Sequence, residues 1–232
     1  MTHIGVLFGG GDDSSAVVST VRAARGEGPE ILVHIVEPEE TARRGLADLL
    51  VGAGIESRAY ADVGEFLSAR HGDAPGCLVV DARLSLAADG ELRRRMQPLG
   101  LDYPMVVTAC GADVALAVRA MKAGAVDVLA RPLREAETLA AVRAGIQLDR
   151  DQRLDAARKS VLGARFSALT PRERQVMSLV TRGRMNKQVA GDLGISEITV
   201  KAHRGSVMRK MAARTLADLV RMADALGDRL SV

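Results

Sequence analysis

Four residues of this 232-residue chain stand where short apolar runs end: Glu37, Asp81, Thr108 and, just past its run, Arg131. Gathered on one edge, two carboxylates, a hydroxyl and a guanidinium make a charged pocket. Its plainest arrangement is a salt bridge of Glu37 and Asp81 with Arg131. A second group, Lys187, Thr199, Lys201, Ala202, Arg204, Gly205 and Arg209, mixes cations with very small residues. That mixture suits a surface that must come close to a polyanion.

The elements that position the first group follow from periodicity. ILVHIV (31–36), IESRAY (55–60), CLVVD (77–81), PMVVT (104–108) and VDVLA (126–130) read as strands. Helical stretches around 39–52, 63–71, 89–98, 112–123 and 134–148 lie between and after them. Such alternation predicts an α/β domain over 30–148, a five-stranded doubly wound parallel sheet covered on both faces. Functional side chains in such sheets gather at the carboxyl ends of the strands, which places Glu37, Asp81, Thr108 and Arg131 together.

The second group sits in a predicted all-α domain over 167–232. Thr170-Pro171-Arg172-Glu173 is a capping box with proline at the first helical position. Val176, Met177, Leu179 and Val180 give the apolar stripe, and Arg182-Gly183 ends the helix. Asn186 is expected to cap a short helix holding Val189, Ala190 and Leu193. Gly194 then turns the chain, Ile195 plugs the gap beneath, and Ser196 caps the next helix. On that helix, at 100° per residue, Val207 and Met211 fall within about 20° of Val200 and form a buried seam. Lys201, Ala202, Gly205 and Arg209 point away from it. Glycine inside a helix costs roughly 1 kcal/mol relative to alanine, a cost that an ordinary surface position does not explain. The layout is that of a helix-turn-helix entering the DNA major groove. Lys201 is the expected groove contact, with Ala202 and Gly205 permitting approach. Lys187 and Thr199 lie at helix starts suited to phosphate, and Arg204 is placed to reach the DNA backbone.

Charge agrees. Residues 167–232 carry 12 Lys and Arg against 6 Asp and Glu, whereas residues 30–148 carry 13 against 17. Only the rear suits a polyanion. With 3 Phe, 2 Tyr and no Trp, the chain offers no aromatic platform for unpaired bases, so the expected partner is double-stranded DNA. No apolar run reaches membrane-span length and no leader pattern precedes the first strand, which predicts a cytoplasmic protein without membrane contact. Cys77 and Cys110 lack metal or disulfide spacing and are expected to be small buried hydrophobes. Residues 149–166 contain five basic and three acidic residues and no proline. They predict a helical linker that continues the preceding helix and ends near Gly163.

The first 29 residues read as an extension: one strand, a Gly-rich turn and a helix. Its GGGDDSS segment is similar to the SGGxDS phosphate loop of ATP pyrophosphatases, with Gly9 in place of the serine. An ATP-binding enzyme would need a whole nucleotide domain, yet the first sheet strand begins about 20 positions later. The expectation is an extension and no catalytic residues.

The blocks IVEPEE, CLVVDARL, VVTACG and AMKAGAVDVLARPL, followed by TPRER, NKQVA, ISEITVKAHR and MRKM, resemble the NarL/FixJ family of response regulators: a receiver domain followed by a LuxR-type helix-turn-helix. The resemblance covers about residues 30–225. It implies a transcriptional regulator that acts as a homodimer on DNA, with Asp81 as phosphoacceptor for a sensor kinase. It also implies Thr108 as the hydroxyl that senses the phosphoryl group, and Arg131 at the position usually held by lysine. Receivers hold Mg²⁺ with two adjacent carboxylates plus the phosphoacceptor. Here Glu37-Pro38 lengthens one acid and removes the other, leaving Glu37 and Asp81 as weak metal candidates. Arg131 exchanges a point charge for a planar fork. Val128 stands where a switching Tyr or Phe is usual, and one extra residue lies between Asp81 and Gly90. These departures favour an atypical receiver, governed by a regulatory protein, a small ligand or dimerisation. Conventional phosphorylation of Asp81 is the alternative.

Overall fold

The computed structural model describes residues 31–85, 91–111 and 114–227. The reading of residues 1–29, and that of the loop from 86 to Gly90, lie outside them. The chain divides into two compact units that meet in sequence at Gln152 and Arg153.

The first unit alternates strand and helix: β1 (Leu32–Val36), α1 (Glu40–Gly52), β2 (Ser57–Tyr60), α2 (Val63–Ser68), β3 (Gly76–Asp81), α3 (Ala82–Ser85), α4 (Glu91–Met96), β4 (Met105–Cys110), α5 (Val114–Lys122) and β5 (Ala125–Arg131). The strands form one parallel sheet in the order β2-β1-β3-β4-β5. Strand alternation sends Val36, Leu78, Val80, Met105 and Val107 to one face, against α2, α4 and α5. It sends Val33, Ile35, Cys77, Val79 and Val106 to the other, against α1 and the helix after β5. Both cores are apolar, as a doubly wound sheet requires. In register, Asp81 at the end of β3 lies beside Thr108, and Thr108 beside Leu129, while β4 and β5 run two residues further, to Cys110 beside Arg131.

Two close approaches fix this arrangement. A Cβ on Gly76 would sit 1.8 Å from the carbonyl oxygen of Leu32, so no side chain fits where β3 begins beside β1. A Cβ on Gly145 would meet Cys77 Cβ at 2.9 Å, which lets the last helix lie flat on the sheet.

That helix, α6 (Glu135–Ser167), is 33 residues long and does not stop at Gly163. Leu162 and Phe166 belong to an apolar cluster with Met177, Val207, Met211 and Leu219, and their burial outweighs the helix cost of one glycine. The expected end near Gly163 is thus corrected to Ser167.

The second unit continues with α7 (Pro171–Thr181), α8 (Asn186–Leu193), α9 (Glu197–Met211) and α10 (Leu216–Leu226). A second cluster, Val176, Val180, Val189, Ala190 and Val200, packs α7, α8 and α9 together. Val200 belongs to one cluster and Val207 and Met211 to the other, so α9 is clamped along one seam. Among the described residues, no helix is long and apolar enough to cross a membrane. Cys77 is buried, but Cys110 is exposed at the end of β4, contrary to the expectation of two buried cysteines. The last residue of β4 has already left the covered part of the sheet.

Candidate functional site

The structure brings Glu37, Asp81, Thr108 and Arg131 together at the carboxyl edge of the sheet. Arg131 Nη2 donates to Thr108 Oγ1 at 3.1 Å, to Asp81 Oδ2 at 3.2 Å, and to Glu37 Oε2. Glu37 and Asp81 are buried, while Arg131 keeps a narrow opening to solvent. The peptide bond from Arg131 to Pro132 is cis.

A residue missed by sequence reasoning completes the site. Arg83, two positions past Asp81 on α3, grips that carboxylate as a fork: Nε to Oδ1 at 2.8 Å and Nη2 to Oδ2 at 3.1 Å. Its backbone N–H also donates to Oδ1 at 2.8 Å. Burial pushes the Asp81 carboxyl up, but the Arg83 hydrogen bonds, with the charges of Arg83 and Arg131, outweigh it and hold the group below its ordinary value. Asp81 is therefore an anion locked between two guanidinium groups.

Mg²⁺ needs close, near-octahedral oxygen ligation at about 2.1 Å. Here Asp81 Oδ1 accepts from Arg83, Asp81 Oδ2 from Arg83 and Arg131, Glu37 Oε2 from Arg131, and Glu37 Oε1 from the Glu39 N–H at 2.9 Å. No group of three or more metal-ligating side chains occurs among the described residues. With every carboxylate oxygen already engaged by a guanidinium group or a backbone N–H, the residues present do not fit the metal.

The second site is built on α7–α9. Thr170 Oγ1 accepts from Glu173 N at 3.2 Å and Glu173 Oε2 from Thr170 N at 2.7 Å, the capping box read from sequence. The same Oε2 accepts from Lys210 Nζ at 2.7 Å, tying the start of α7 to the end of α9. Arg172 Nη2 reaches the carbonyl of Leu193 at 2.7 Å and so closes the end of α8. Gly194 is left-handed at φ +64°, and Ser196 Oγ accepts from Thr199 N at 3.1 Å.

The cap of α8 differs from expectation. Met185, not Asn186, is the capping position, and its N–H donates to Gln188 Oε1 at 2.9 Å. Asn186 is the first helical residue, and its Oδ1 accepts from Arg204 Nη1 at 2.5 Å. Arg204 is thereby half-buried as a brace between α8 and α9.

Lys201, Ala202, Gly205 and Arg209 are exposed on the face of α9 opposite Val200, and Lys187 is exposed at the start of α8. Thr199 is half-buried, with its hydroxyl 2.8 Å from that of Ser196. A Cβ on Gly205 would meet nothing within 4 Å, so packing inside the protein does not require glycine there. Ile198, which sequence reasoning passed over, is 81% exposed on the same face.

A doubly wound domain with a charged strand-end pocket, joined to a helix-turn-helix that presents a basic helix, defines a two-part regulator. Residues 33–143 match the response regulator receiver domain, and residues 167–223 match the bacterial regulatory proteins of the luxR family. Nodulation protein W of Bradyrhizobium diazoefficiens is 42% identical over 84% of this chain and 86% of that protein. The transcriptional regulatory protein FixJ of Rhizobium meliloti is 38% identical over 84% of this chain and 96% of that protein. The solved structure of the response regulator StyR superposes with a TM-score of 0.70 at 38% identity, covering 84% of this chain and 99% of that one. The chain belongs to the response regulators of the NarL/FixJ type and is a transcription factor with a receiver and a LuxR-type DNA-binding domain.

Proposed function

We propose that this regulator is switched without Mg²⁺-dependent phosphorylation, and that its output is set by how two copies pair on duplex DNA. The observation that carries the first half is the strand-end pocket, where all four carboxylate oxygens of Glu37 and Asp81 are engaged by Arg83, Arg131 or a backbone N–H. Pairing is supported by α5, whose Val114, Val118 and Met121 are exposed and lie within about 60° of one another on the helix. Such an apolar stripe suits a second copy. Residues 149–166 are the connector between the receiver (30–148) and the DNA-binding domain (167–232). Lys187, Lys201, Ala202, Gly205 and Arg209 form the surface toward DNA, with Lys201 reading a base. The input is a regulatory protein or small ligand, and the protein acts in the cytoplasm and not as an enzyme.

The alternative, phosphorylation of Asp81 by a sensor kinase, draws support from one feature: the Arg83 side chain is 63% exposed, so water competes for its hold on Asp81. Treatment with acetyl phosphate, and separately with beryllofluoride and Mg²⁺, decides between them when intact mass and sedimentation are followed on wild type and Asp81→Asn. The proposal expects no adduct and unchanged pairing. An adduct lost in Asp81→Asn, with altered pairing, establishes the alternative.

A further inference from the structure

We infer that Ile198 reads thymine through its C5-methyl group, making the first turn of α9 a base-specifying element. The inference rests on the reading of the α9 face as the surface that enters the major groove.

Ile198 follows the capping Ser196 and Glu197, two positions into α9. At 100° per residue it lies about 160° from Val200, between Gly205 and Arg209 and across from the buried seam. It is the most exposed of the large hydrophobic side chains among the described residues. A singly exposed aliphatic residue is ordinary on a protein surface. The setting of this one is not. One and two turns further along the same face stand Ala202 and Gly205, both too small to shelter it. The isoleucine therefore projects from a stretch of the groove-facing strip whose neighbours one and two turns on, Ala202 and Gly205, are small, flanked by the cations Lys201 and Arg209.

Chemistry narrows what it can recognise. An aliphatic side chain donates and accepts no hydrogen bond, so phosphate and the amino, carbonyl and ring-nitrogen edges of the bases offer it nothing. In the major groove the apolar feature of the four bases is the thymine methyl. In helix-turn-helix docking, the N-terminal residues of the recognition helix reach the base edges, which is where Ile198 lies. Lys201, one turn on, supplies the hydrogen-bonding partner for a neighbouring base. The pair would specify adjacent positions by opposite means, one polar and one apolar.

The test uses the full chain. Duplexes that bind are selected from a randomised pool, and each thymine of the selected site is then replaced in turn by deoxyuridine, which removes the methyl and leaves every hydrogen bond. The expected result for wild type is a loss of about fivefold in affinity at one or two thymines per half-site. Ile198→Ala should bind more weakly and be insensitive to deoxyuridine at those same positions, because the two changes remove one contact. Lys201→Ala, by contrast, should retain the deoxyuridine effect there. Alanine suits a helix better than isoleucine, and the site is exposed, so Ile198→Ala keeps its fold. Sensitivity to deoxyuridine that persists unchanged in Ile198→Ala overturns the inference, as does a wild-type site at which no thymine methyl matters. A wild-type chain that enriches no sequence from the pool removes the groove-facing reading of α9 as well.

Discussion

Arg83 and Asp81 meet as fork and carboxylate, with Nε on Oδ1 at 2.8 Å and Nη2 on Oδ2 at 3.1 Å. The pairing places a cation two residues from Asp81, the candidate phosphoacceptor, on the side open to solvent. Combined with Arg131 behind it, the pocket is neutralised from both directions by the protein itself.

Metal affinity should therefore be absent in the wild type and recoverable by design. Glu37→Asp with Pro38→Asp restores the two adjacent acids of the receiver pattern, and adding Arg83→Ala removes the fork that occupies Asp81. Calorimetric titration with Mg²⁺ is expected to give no saturable heat for wild type and saturable binding for the triple variant. Equal, saturable binding by both would show that the arginines yield to the metal.

Lys210 and Glu173 make a separate, testable joint. The buried Glu173 carboxylate is pushed up by desolvation, but hydrogen bonds from Lys210 and Thr170 outweigh this and lower it below its ordinary value. A depressed carboxyl contributes stability at neutral pH that is lost as pH falls through its folded value. Lys210→Met leaves that carboxylate short of a partner and should cost about 1–3 kcal/mol in urea unfolding at pH 7. The deficit should narrow on acidification below the ordinary glutamate range. A constant deficit from pH 7 to 3 would assign it to lost packing.

His34 predicts the acid behaviour of the sheet. It lies in the middle of β1, packed among Tyr60, Phe66, His71 and Tyr103, with ring centroids between 4.8 and 5.9 Å away. Burial, then the charges of His71 and Arg58, lower it from 6.5 to about 3. The unfolded chain takes up a proton below pH 6.5 that the folded chain refuses. Stability should thus fall as pH drops from 6.5 toward 4.5, by up to about 1.4 kcal/mol per unit from this group. The window lies above the range where Asp81 and Glu173 titrate. Thermal melts of His34→Phe across it should show a flatter slope than wild type, and an unchanged slope would place the proton uptake elsewhere.

The strand-end quartet was legible because a parallel sheet puts its functional residues at one predictable edge. Arg83 was not, since it lies on a four-residue helix too short to have a periodicity, and nothing local marks it as folding back on Asp81. Asn186 misled for a related reason. By type it is a good cap, but Arg204, eighteen positions away, engages its side-chain oxygen, while Gln188 closes the turn at Met185. Gly163 looked like a helix end because the apolar surface that carries α6 past it, around Met177, Val207 and Met211, comes from later in the chain. The Thr170–Glu173 capping box and the Val200–Val207–Met211 seam depend on neighbours within a turn or two and are legible in sequence, whereas the partner of Asn186 and the core that carries α6 past Gly163 come from distant positions.

Gly205 within α9 and Ala212 at its C-cap should respond to opposite substitutions with the same sign of stability change. Gly205 sits in the helix interior with open space where a Cβ would go, so Gly205→Ala should stabilise the domain by about 0.5–1 kcal/mol. Ala212 ends the helix in the left-handed region at φ +55°, where alanine is strained, and Ala212→Gly should add a similar amount. The two part company on DNA. A side chain at 205 intrudes on the groove-facing strip, so Gly205→Leu should bind duplex at least tenfold more weakly at fixed salt while melting no lower than wild type. Ala212→Gly should leave affinity unchanged. Melting curves and gel-shift titrations on the three variants separate the readings: if Gly205→Leu binds like wild type, the glycine is not there to admit DNA.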